Sequence, residues 1–258
     1  MREILRLAHV SLVYQAENGE VSALENFNLT AMEGEQIAIV GPSGCGKSTL
    51  LSVISGLERP TGGKVYLDGE LSLGVSEKIG YMLQKDNLLQ WRTIRSNVLL
   101  GLEIRGMLTP ENITYAEKLL QTYGLGEFAD KYPSQLSGGM RQRAALIRTL
   151  ATRPELLLLD EAFSALDYQT RLAVTDDVFK ILKSVGKTAI IVTHDIPEGI
   201  SMADRVVVVS GRPGRVKSIH KIELDTPGRQ ITTPLQRRAN PGFTGYFNTI
   251  WKELDLNE

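Results

Sequence analysis

The nine-residue stretch 41–49 constrains the fold of this chain more than any other feature. It reads Gly-Pro-Ser-Gly-Cys-Gly-Lys-Ser-Thr, matches the pattern G-x-x-x-x-G-K-[ST], and lies between the apolar run 36–40 and a helical stretch that begins at Lys47. A strand that enters a helix through a glycine-rich turn directs backbone N–H groups and the positive end of the helix dipole at one point. The stretch therefore predicts a polyphosphate site.

This phosphate-binding turn, residues 41–49, also supplies side chains with specific tasks. Its glycines allow the chain to wrap closely around a ligand. Lys47 is expected to contact the β and γ phosphates, and the Ser48 hydroxyl is expected to ligate Mg²⁺. Cys45 is interpreted as a small loop filler, with a redox role as the alternative. The candidate binding residues of the turn are Gly41, Ser43, Gly44, Cys45, Gly46, Lys47, Ser48 and Thr49.

Short apolar runs alternate with segments of helical period, which is typical of an α/β domain with a largely parallel sheet. The first runs alternate apolar with polar residues, and Asp68-Gly69 is a strong hairpin signal, so an antiparallel edge is expected on the parallel core. Predicted strands are 4–10, 24–31, 36–40, 64–67, 79–83, 156–160, 188–193 and 205–210.

The strand signal disappears between residues 86 and 151, which predicts an inserted helical subdomain. Thr109 and Pro110 read as N-cap and N1 of a helix that ends at Gly124. A further amphipathic helix is expected to open at Asn240-Pro241, either buried on its own domain or used as a partner-binding face. The predicted division is therefore a core of residues 1–85 and 152–225, a helical subdomain of 86–151 and a C-terminal extension of 226–258.

Composition excludes several classes of protein. The chain has 258 residues, a formal charge of −1, one cysteine and three histidines. The near-zero charge argues against a nucleic-acid partner, and no strictly apolar run is longer than five residues, far short of the ~20 needed to span a bilayer. A lone cysteine forms no intramolecular disulfide, which fits a reducing compartment. The sequence thus predicts a soluble protein made in the cytoplasm.

Three further polar residues are expected at the edge of the sheet that carries the phosphate-binding turn. Asp160 and Glu161 end the predicted strand 156–160, and His194 follows the strand 188–193. Parallel strands place their ligands at their carboxyl ends. Asp160 is expected to hold Mg²⁺ through its water shell, Glu161 to act as general base on the attacking water, and His194 to contact the γ-phosphate or that water. The alternative is two surface acids and a structural histidine.

The segment 136–142, Leu-Ser-Gly-Gly-Met-Arg-Gln, closely resembles the signature motif of ABC ATPases. Further elements of that family follow in order: Gln84 resembles the Q-loop glutamine, segment 164–167 the D-loop, and His194 the switch histidine. The resemblance covers about residues 3–220. Met140 and Ala162 depart from the commoner Gln and Pro of the family, and neither touches a catalytic group.

The resemblance implies a P-loop ATPase with a RecA-like core, an antiparallel β edge subdomain and the helical insertion. It also implies a head-to-tail dimer in which each ATP lies between the phosphate-binding turn of one copy and the signature of the other. Ser137, Gly138 and Gly139 would then contact the γ-phosphate from the second copy, although Ser137 could be a plain helix N-cap. Since the chain has one site of each kind, a homodimer is expected.

The resemblance also implies roles for Tyr14 and Gln84. Tyr14 sits where the family carries an aromatic residue that stacks on adenine, and packing within the antiparallel edge is the alternative. Gln84 is expected to contact Mg²⁺ or water and to communicate with the helical subdomain, or to be an ordinary polar residue at a strand end.

The segment 88–91, Leu-Leu-Gln-Trp, resembles the region where importer ATPases receive a separate permease, and more narrowly the nitrate/sulfonate/taurine importer branch. Trp91 is expected to be exposed for that contact. This resemblance implies a permease partner, an indirect extracytoplasmic binding protein, and a location at the cytoplasmic face of the membrane. The cargo would be a sulfonate, taurine, nitrate or a vitamin precursor.

Three functions other than import are alternatives for this sequence. A soluble ABC ATPase of the iron–sulfur assembly type has a suitable size and is the alternative function that the sequence leaves. A chromosome-maintenance ATPase is disfavoured, because only about 90 residues separate Gly46 from Ser137, too few for a long coiled coil. A pure interaction module with a dead site is opposed by intact Lys47, Asp160 and Glu161.

Overall fold

A computed structural model describes residues 2–16, 19–224 and 232–255 of the chain. Its strands form two sheets, and most of them lie where the apolar runs predict them. The strands are β1 (Glu3–Ala16), β2 (Gly19–Met32), β3 (Gln36–Val40), β4 (Gly62–Leu67), β5 (Glu70–Leu71), β6 (Ile79–Met82), β7 (Leu156–Asp160), β8 (Thr188–Thr193), β9 (Arg205–Val209) and β10 (Val216–Lys221).

The larger sheet has the order β10-β9-β3-β8-β7-β6. All neighbouring pairs in it are parallel except β9 with β10. Because β3, β7 and β8 run the same way side by side, their carboxyl ends meet at one edge, with Val40 opposite Thr193 and Asp160 opposite Val192. Strands β3, β7 and β8 are buried throughout, as expected for a parallel sheet covered on both faces.

The smaller sheet is antiparallel and has the order β2-β1-β4-β5. The predicted hairpin is confirmed: β4 and β5 are joined by Asp68 and Gly69, which have φ of 54° and 79°. Positive φ at both central residues is the geometry of a type I′ turn, which matches the twist of the strands. Apolar side chains of β1 and β2 pack on α1, β3 and β9 in one continuous core.

The helices are α1 (Lys47–Ser55), α2 (Ile94–Ile104), α3 (Pro110–Thr122), α4 (Gly138–Ala151), α5 (Tyr168–Ser184), α6 (Ile196–Met202), α7 (Pro234–Arg238) and α8 (Phe243–Asp255). Helices α2 to α4 lie between β6 and β7, where a helical segment is predicted. Thr109 caps α3 as expected, because its side chain accepts a hydrogen bond from the Asn112 backbone N–H. Among the described residues, every helix is too short or too polar to cross a bilayer.

Several boundaries differ from the sequence prediction. Strand β1 extends to Ala16 rather than to residue 10, β2 begins at Gly19 rather than at residue 24, and β4 begins at Gly62 rather than at residue 64, because these strands pair beyond their apolar runs. Strand β6 ends at Met82 and β9 at Val209, one residue early in each case. Helix α8 begins at Phe243 rather than at Pro241, because the Asn240 carboxamide accepts a hydrogen bond from the Gly242 backbone N–H and forms a turn before the helix. Strand β10 was not predicted; its alternating polar and half-buried residues give a weak signal.

The C-terminal helix packs on its own domain. Ile250 is fully buried in a cluster with Ile196, Ile200 and Ile222, so α8 covers α6, β9 and the chain after β10. On the outer face of α8, Trp251 stays 49% exposed and stacks on Phe247 at a ring distance of 5.8 Å. Of the two predicted alternatives, burial on the chain's own domain is the one that the structure supports.

Candidate functional site

The phosphate-binding turn connects β3 to α1 in the predicted way, and its glycines are sterically required. Gly46 is the N-cap of α1 with φ of 99°, and a Cβ there would lie 2.7 Å from the Ala23 carbonyl oxygen. Gly44 has φ of 75° and open space around it. A Cβ on Gly41 would lie 2.9 Å from the Cys45 sulfur. The turn is therefore a narrow cradle of backbone, of the kind that suits a phosphate.

Lys47 lies beneath this cradle. Its Nζ donates hydrogen bonds to the carbonyl oxygens of Gly41 and Pro42, each at 2.8 Å, and the residue is 6% exposed. The ammonium therefore neutralises the carbonyl side of the turn, while the hydroxyl-bearing Ser43 and Ser48 are exposed on the other side. Thr49 is partly buried on the same first turn of α1.

Cys45 is buried inside the turn. It is 1% exposed, and burial raises the pKa of its thiol, which the nearby Lys47 only partly offsets. A protonated, inaccessible thiol reacts poorly with oxidants. This environment supports the interpretation of Cys45 as a loop filler rather than a redox residue.

Asp160 meets the turn at the end of β7. Its Oδ1 accepts a hydrogen bond from the Ser48 hydroxyl at 3.1 Å, and its Oδ2 accepts one from the Tyr81 phenol at 3.3 Å. Burial raises the pKa of the Asp160 carboxyl, and these two hydrogen bonds oppose the shift. A buried carboxylate beside a hydroxyl offers the oxygen ligands that Mg²⁺ prefers, so this pair fits that cation. Tyr81 has no motif around it that could have pointed to this contact.

Glu161 and His194 are brought together by the parallel pairing of β7 and β8. His194 Nδ1 lies 3.1 Å from Glu161 Oε2. Glu161 has φ of 45°, in the left-handed region that non-glycine residues rarely adopt, and its backbone N–H donates to the Val192 carbonyl oxygen at 2.9 Å. Backbone strain of this kind concentrates at functional sites. The two side chains sit at the sheet edge that carries the phosphate-binding turn.

Gln84 joins this group through Ser164. The Gln84 amide donates to the Ser164 hydroxyl at 3.2 Å, and that hydroxyl donates to the Glu161 carbonyl oxygen at 2.9 Å. Gln84 is thus positioned as a link between the end of β6 and the segment 164–167. In the described residues its side chain has no direct hydrogen bond to Asp160 or Ser48, the other predicted metal ligands.

The signature segment packs against segment 164–167 and the start of α5. Ser137 caps α4 by accepting a hydrogen bond from the Met140 backbone N–H at 3.3 Å. A Cβ on Gly138 would lie 3.1 Å from Leu166, and one on Gly139 would lie 2.8 Å from Val174 of α5. These contacts fix the start of α4 against α5, and they leave Ser137 exposed.

The two predicted aromatic contacts are both exposed. Tyr14 lies on β1 opposite Val21, with 38% of the residue accessible, and Trp91 is 74% accessible. Within segment 88–91, however, Leu88 is only 5% exposed and packs in the core of the helical insertion. Leu88 therefore anchors the segment to the helical insertion, and Trp91 forms its exposed end, as expected.

Asn97, which sequence reasoning missed, holds this segment in place. It is fully buried, its Oδ1 accepts from the Leu89 backbone N–H at 2.7 Å, and its Nδ2 donates to the carbonyl oxygens of Leu89 and Arg92, each at 3.1 Å. Its Nδ2 also lies 3.0 Å from the Thr93 carbonyl oxygen, so this buried asparagine has four backbone partners and fixes a loop without regular secondary structure. No sequence pattern marks such a residue, because its partners depend on the folded loop.

Comparisons with known proteins agree with this arrangement. The family model described as ABC transporter matches residues 24–164. The chain is 46% identical over 254 residues to the uncharacterized ABC transporter ATP-binding protein YtlC of Bacillus subtilis, which spans 98% of this chain and 96% of that protein. It is 37% identical over 250 residues to the nitrate import ATP-binding protein NrtD of Synechocystis sp., spanning 95% and 93%.

Solved structures give the same result. A dimeric post-hydrolysis state of the ATP-binding cassette MJ0796, bound to ADP and Pi, is 34% identical with a TM-score of 0.72 and spans 85% of this chain and 99% of that one. The structure of cbiO1 from Clostridium perfringens, described as part of the ABC transporter complex cbiONQ, has a TM-score of 0.76 at 27% identity, spanning 86% of this chain and 89% of that one. The predicted fold class is therefore confirmed, and the chain belongs to the ABC transporter family as an ATP-binding protein.

Proposed function

We propose that this protein is the ATP-hydrolysing subunit of an ABC importer, in which two copies couple ATP binding and hydrolysis to substrate movement through a separate permease. The observation that carries the proposal is the geometry of Glu161 and His194, 3.1 Å apart at the sheet edge that also holds Lys47, Ser48 and Asp160. Nucleotide and catalytic groups thus share one edge.

Each residue of the candidate site has a separate role in ATP binding or hydrolysis. The backbone of turn 41–49 and Lys47 hold the phosphates, and Ser48 with Asp160 would hold Mg²⁺. When bound, Mg²⁺ neutralises charge on the β and γ phosphates. Glu161 accepts a proton from the attacking water as general base, and His194 fixes the orientation of that carboxylate through its Nδ1 contact. Tyr14 stacks on the adenine, and Gln84 connects the site to the helical insertion.

The second copy completes the site. The chain carries one phosphate-binding turn and one signature. Ser137 is exposed at the start of α4, and Gly138 packs against Leu166 of segment 164–167. A head-to-tail homodimer brings the Ser137, Gly138 and Gly139 end of α4 in one copy to the phosphates of the other. That helix start offers a capping hydroxyl and free backbone N–H groups to an anion. The dimeric solved relative bound to ADP and Pi supports this assembly.

The permease partner is assigned to segment 88–91, where exposed Trp91 stands on a loop fixed by Asn97 and Leu88. Relatives named for nitrate import in Synechocystis and for taurine import in Ruegeria pomeroyi, each 37% identical, support nitrate, taurine or a related sulfonate as cargo, with a vitamin precursor as a further class. The protein then lies at the cytoplasmic face of the membrane, and an extracytoplasmic binding protein delivers the cargo to the permease.

The proposed division of the chain into subdomains follows the order of its helices and strands. Residues 1–85 and 152–225 form the catalytic core with its antiparallel edge, residues 86–151 form the helical signature subdomain, and residues 226–258 form the C-terminal extension. The part of that extension in the described structure, 232–255, packs on the core, whereas 225–231 and 256–258 lie outside the described residues.

The substitution Glu161→Gln tests the proposal. It should leave ATP binding intact, lower the hydrolysis rate by about 10²- to 10⁴-fold, and trap a dimer in ATP that size-exclusion chromatography detects. The matched control Glu58→Gln, at an exposed carboxylate after α1, should leave the rate unchanged. Normal hydrolysis by the Glu161→Gln protein would show that Glu161 is not the base.

Substrate uptake by whole cells tests the importer assignment. Cells that lack the gene should lose ATP-dependent uptake of nitrate, taurine or an aliphatic sulfonate, and the wild-type gene should restore uptake where the Glu161→Gln gene does not. Unchanged uptake of all three, together with active ATP hydrolysis by the purified protein, would overturn the cargo class and leave the ATPase assignment standing.

A further inference from the structure

A single guanidinium connects two loops of the candidate site. Arg171 lies in the first turn of α5, and its Nη2 donates to the carbonyl oxygens of Leu166 at 2.9 Å and Ser164 at 3.4 Å. Its Nη1 lies 3.4 Å from Asp195 Oδ2. The Arg171 and Asp195 side chains are 22% and 21% exposed, so this bridge is mostly shielded from water.

Both ends of the bridge lead directly to predicted catalytic groups. On one side, the Ser164 hydroxyl donates to the Glu161 carbonyl oxygen at 2.9 Å and accepts from Gln84 at 3.2 Å. On the other side, Asp195 follows His194 and caps α6, because its Oδ1 accepts from the Glu198 backbone N–H at 2.9 Å. A shift of either loop relative to the other would change the 3.1 Å contact between Glu161 and His194.

The chemistry of the bridge requires arginine. The planar guanidinium carries several N–H donors in a fixed fork, so it can bind two carbonyl oxygens and a carboxylate at once, which a lysine ammonium on a flexible stem does less well. The negative groups around it are Asp195 and the buried Glu198, and Arg238 is a further cation near Glu198. Arg171 is thus the cation that joins this acidic pair to segment 164–167.

We propose that Arg171 is a positioning residue of the ATPase site: it holds segment 164–167 and the loop His194-Asp195 in one register, and thereby keeps Glu161 and His194 in hydrogen-bonding distance. The inference rests on the proposed function, since the register matters to hydrolysis. Arg171 itself lies behind the site and acts through the two loops. Misplacing reacting groups by about 1 Å can cost 10²-fold in rate.

Arg171→Met is the test, and Arg143→Met is its matched control. Arg143, on α4, also pairs with an aspartate of α5, Asp177 at 3.6 Å, and has a similar exposure of 26%. In the described residues the Nε of both guanidiniums is buried without a hydrogen-bond partner. The expected result is a fall of about 10- to 100-fold in kcat for Arg171→Met, with the ATP dissociation constant unchanged, and an unchanged kcat for Arg143→Met.

Two further variants separate positioning from simple stability. Arg171→Lys, which keeps the charge, should restore part of kcat, and Asp195→Asn should lower kcat without adding to the loss in an Arg171→Met background. The kcat of Arg171→Met should stay low at a temperature where both methionine variants are fully folded by circular dichroism. Equal kcat values for Arg171→Met and Arg143→Met would overturn the inference.

Amide hydrogen exchange keeps the inference testable if the wild-type protein hydrolyses no ATP, a result that would overturn the proposed function alone. Arg171→Met should then accelerate exchange in segment 164–167 and at 194–196 together, whereas Arg143→Met should affect neither. Acceleration confined to one of these two segments would show that Arg171 does not couple them.

Discussion

The phosphate-binding turn and the loop that carries His194 lie at the same edge of one sheet, yet they are built in opposite ways. Within the turn, the Lys47 ammonium contacts the carbonyl oxygens of Gly41 and Pro42, six and five residues away in sequence. The contact between Glu161 and His194 spans 33 residues, and a contact that supports α6, from Arg237 to Ala203, spans 34. One half of the site is local, and the other depends on tertiary packing.

The difference predicts where substitutions act. Glycine backbone conformations and the start of α1 determine the structure of the local turn. Substitutions next to the turn should therefore alter nucleotide affinity and leave the rest of the fold intact. The His194 loop is held by α5, α6 and the C-terminal extension, so substitutions around it should lower the stability of the whole domain. Substitutions with the opposite effects, on stability around the turn or on nucleotide affinity alone around the His194 loop, would show that the two halves are not separate.

The largest effect on stability is expected from Arg237→Met in the C-terminal extension. Arg237 is 1% exposed; its Nη1 donates to the Ala203 carbonyl oxygen at 2.8 Å, at the end of α6, and its guanidinium lies 5.1 Å from the Phe179 ring centre. Removing the guanidinium leaves buried carbonyl oxygens without a hydrogen-bond donor and breaks a buried network of charges. We expect the free energy of unfolding to fall by about 3–5 kcal/mol. Urea denaturation would measure the loss.

The neighbouring Arg238 supplies the control for this experiment. It is partly buried, and its Nε donates a hydrogen bond to the Ser201 hydroxyl at 3.3 Å. Arg238→Met should cost no more than about 1 kcal/mol. If both variants lost the same small amount, the extension would be an accessory segment rather than part of the packing that supports α6.

A second effect on the same half of the site depends on pH. Glu198 in α6 is 2% exposed, and burial, with a contribution from the Asp195 carboxylate, raises the pKa of its carboxyl from 4.5 to about 7, against the opposing influence of Arg171, Thr193 and Arg238. The folded protein therefore binds this proton more tightly than the unfolded chain. Stability contributed by the proton is full below pH 4.5 and is lost as pH rises through about 7.

Glu198→Gln removes this dependence because the amide does not titrate. Relative to the wild type, the variant should gain stability as pH rises from 4.5 to 8, by at most about 3 kcal/mol, and should differ little below pH 4.5. Thermal melts across that range would measure the gain, and Glu58→Gln should show no such trend. A constant difference at every pH would show that Glu198 stays in one protonation state.

The contrast between the two halves also explains what the sequence could predict. The order of the strands along the chain, the turn 41–49, the N-caps at Thr109 and Ser137, and the residues at the ends of β7 and β8 all have short-range signals: spacing, periodicity and capping chemistry. Parallel pairing then brings Glu161 and His194 together, which follows from the general rule that such strand ends share an edge.

What the sequence could not predict is the set of contacts that the completed fold creates. Arg171 reaches the Asp195 carboxylate, 24 residues away, and Arg237 reaches the Ala203 carbonyl oxygen, 34 residues away. Nothing next to either arginine in sequence records that partner. The core position of Leu88 could not be predicted for the same reason, because an apolar residue in a loop segment has the same sequence signal whether it faces a partner or its own core. Strand β10 pairs with β9 at the edge of the larger sheet, where the apolar pattern is weak.

The smallest effect is expected on the local half, at Tyr14. Its ring is 38% exposed on β1, on the sheet whose Ala23 carbonyl lies against Gly46 of the turn. Aromatic stacking is worth about 0.5–1.5 kcal/mol, so Tyr14→Leu should raise the ATP dissociation constant about 2- to 10-fold, and Tyr14→Phe, which keeps the ring, should leave it unchanged. Isothermal titration with the Glu161→Gln protein would measure both. Unchanged affinity with a lowered melting temperature for Tyr14→Leu would instead assign the ring to packing of the antiparallel edge, and would remove Tyr14 from the nucleotide site.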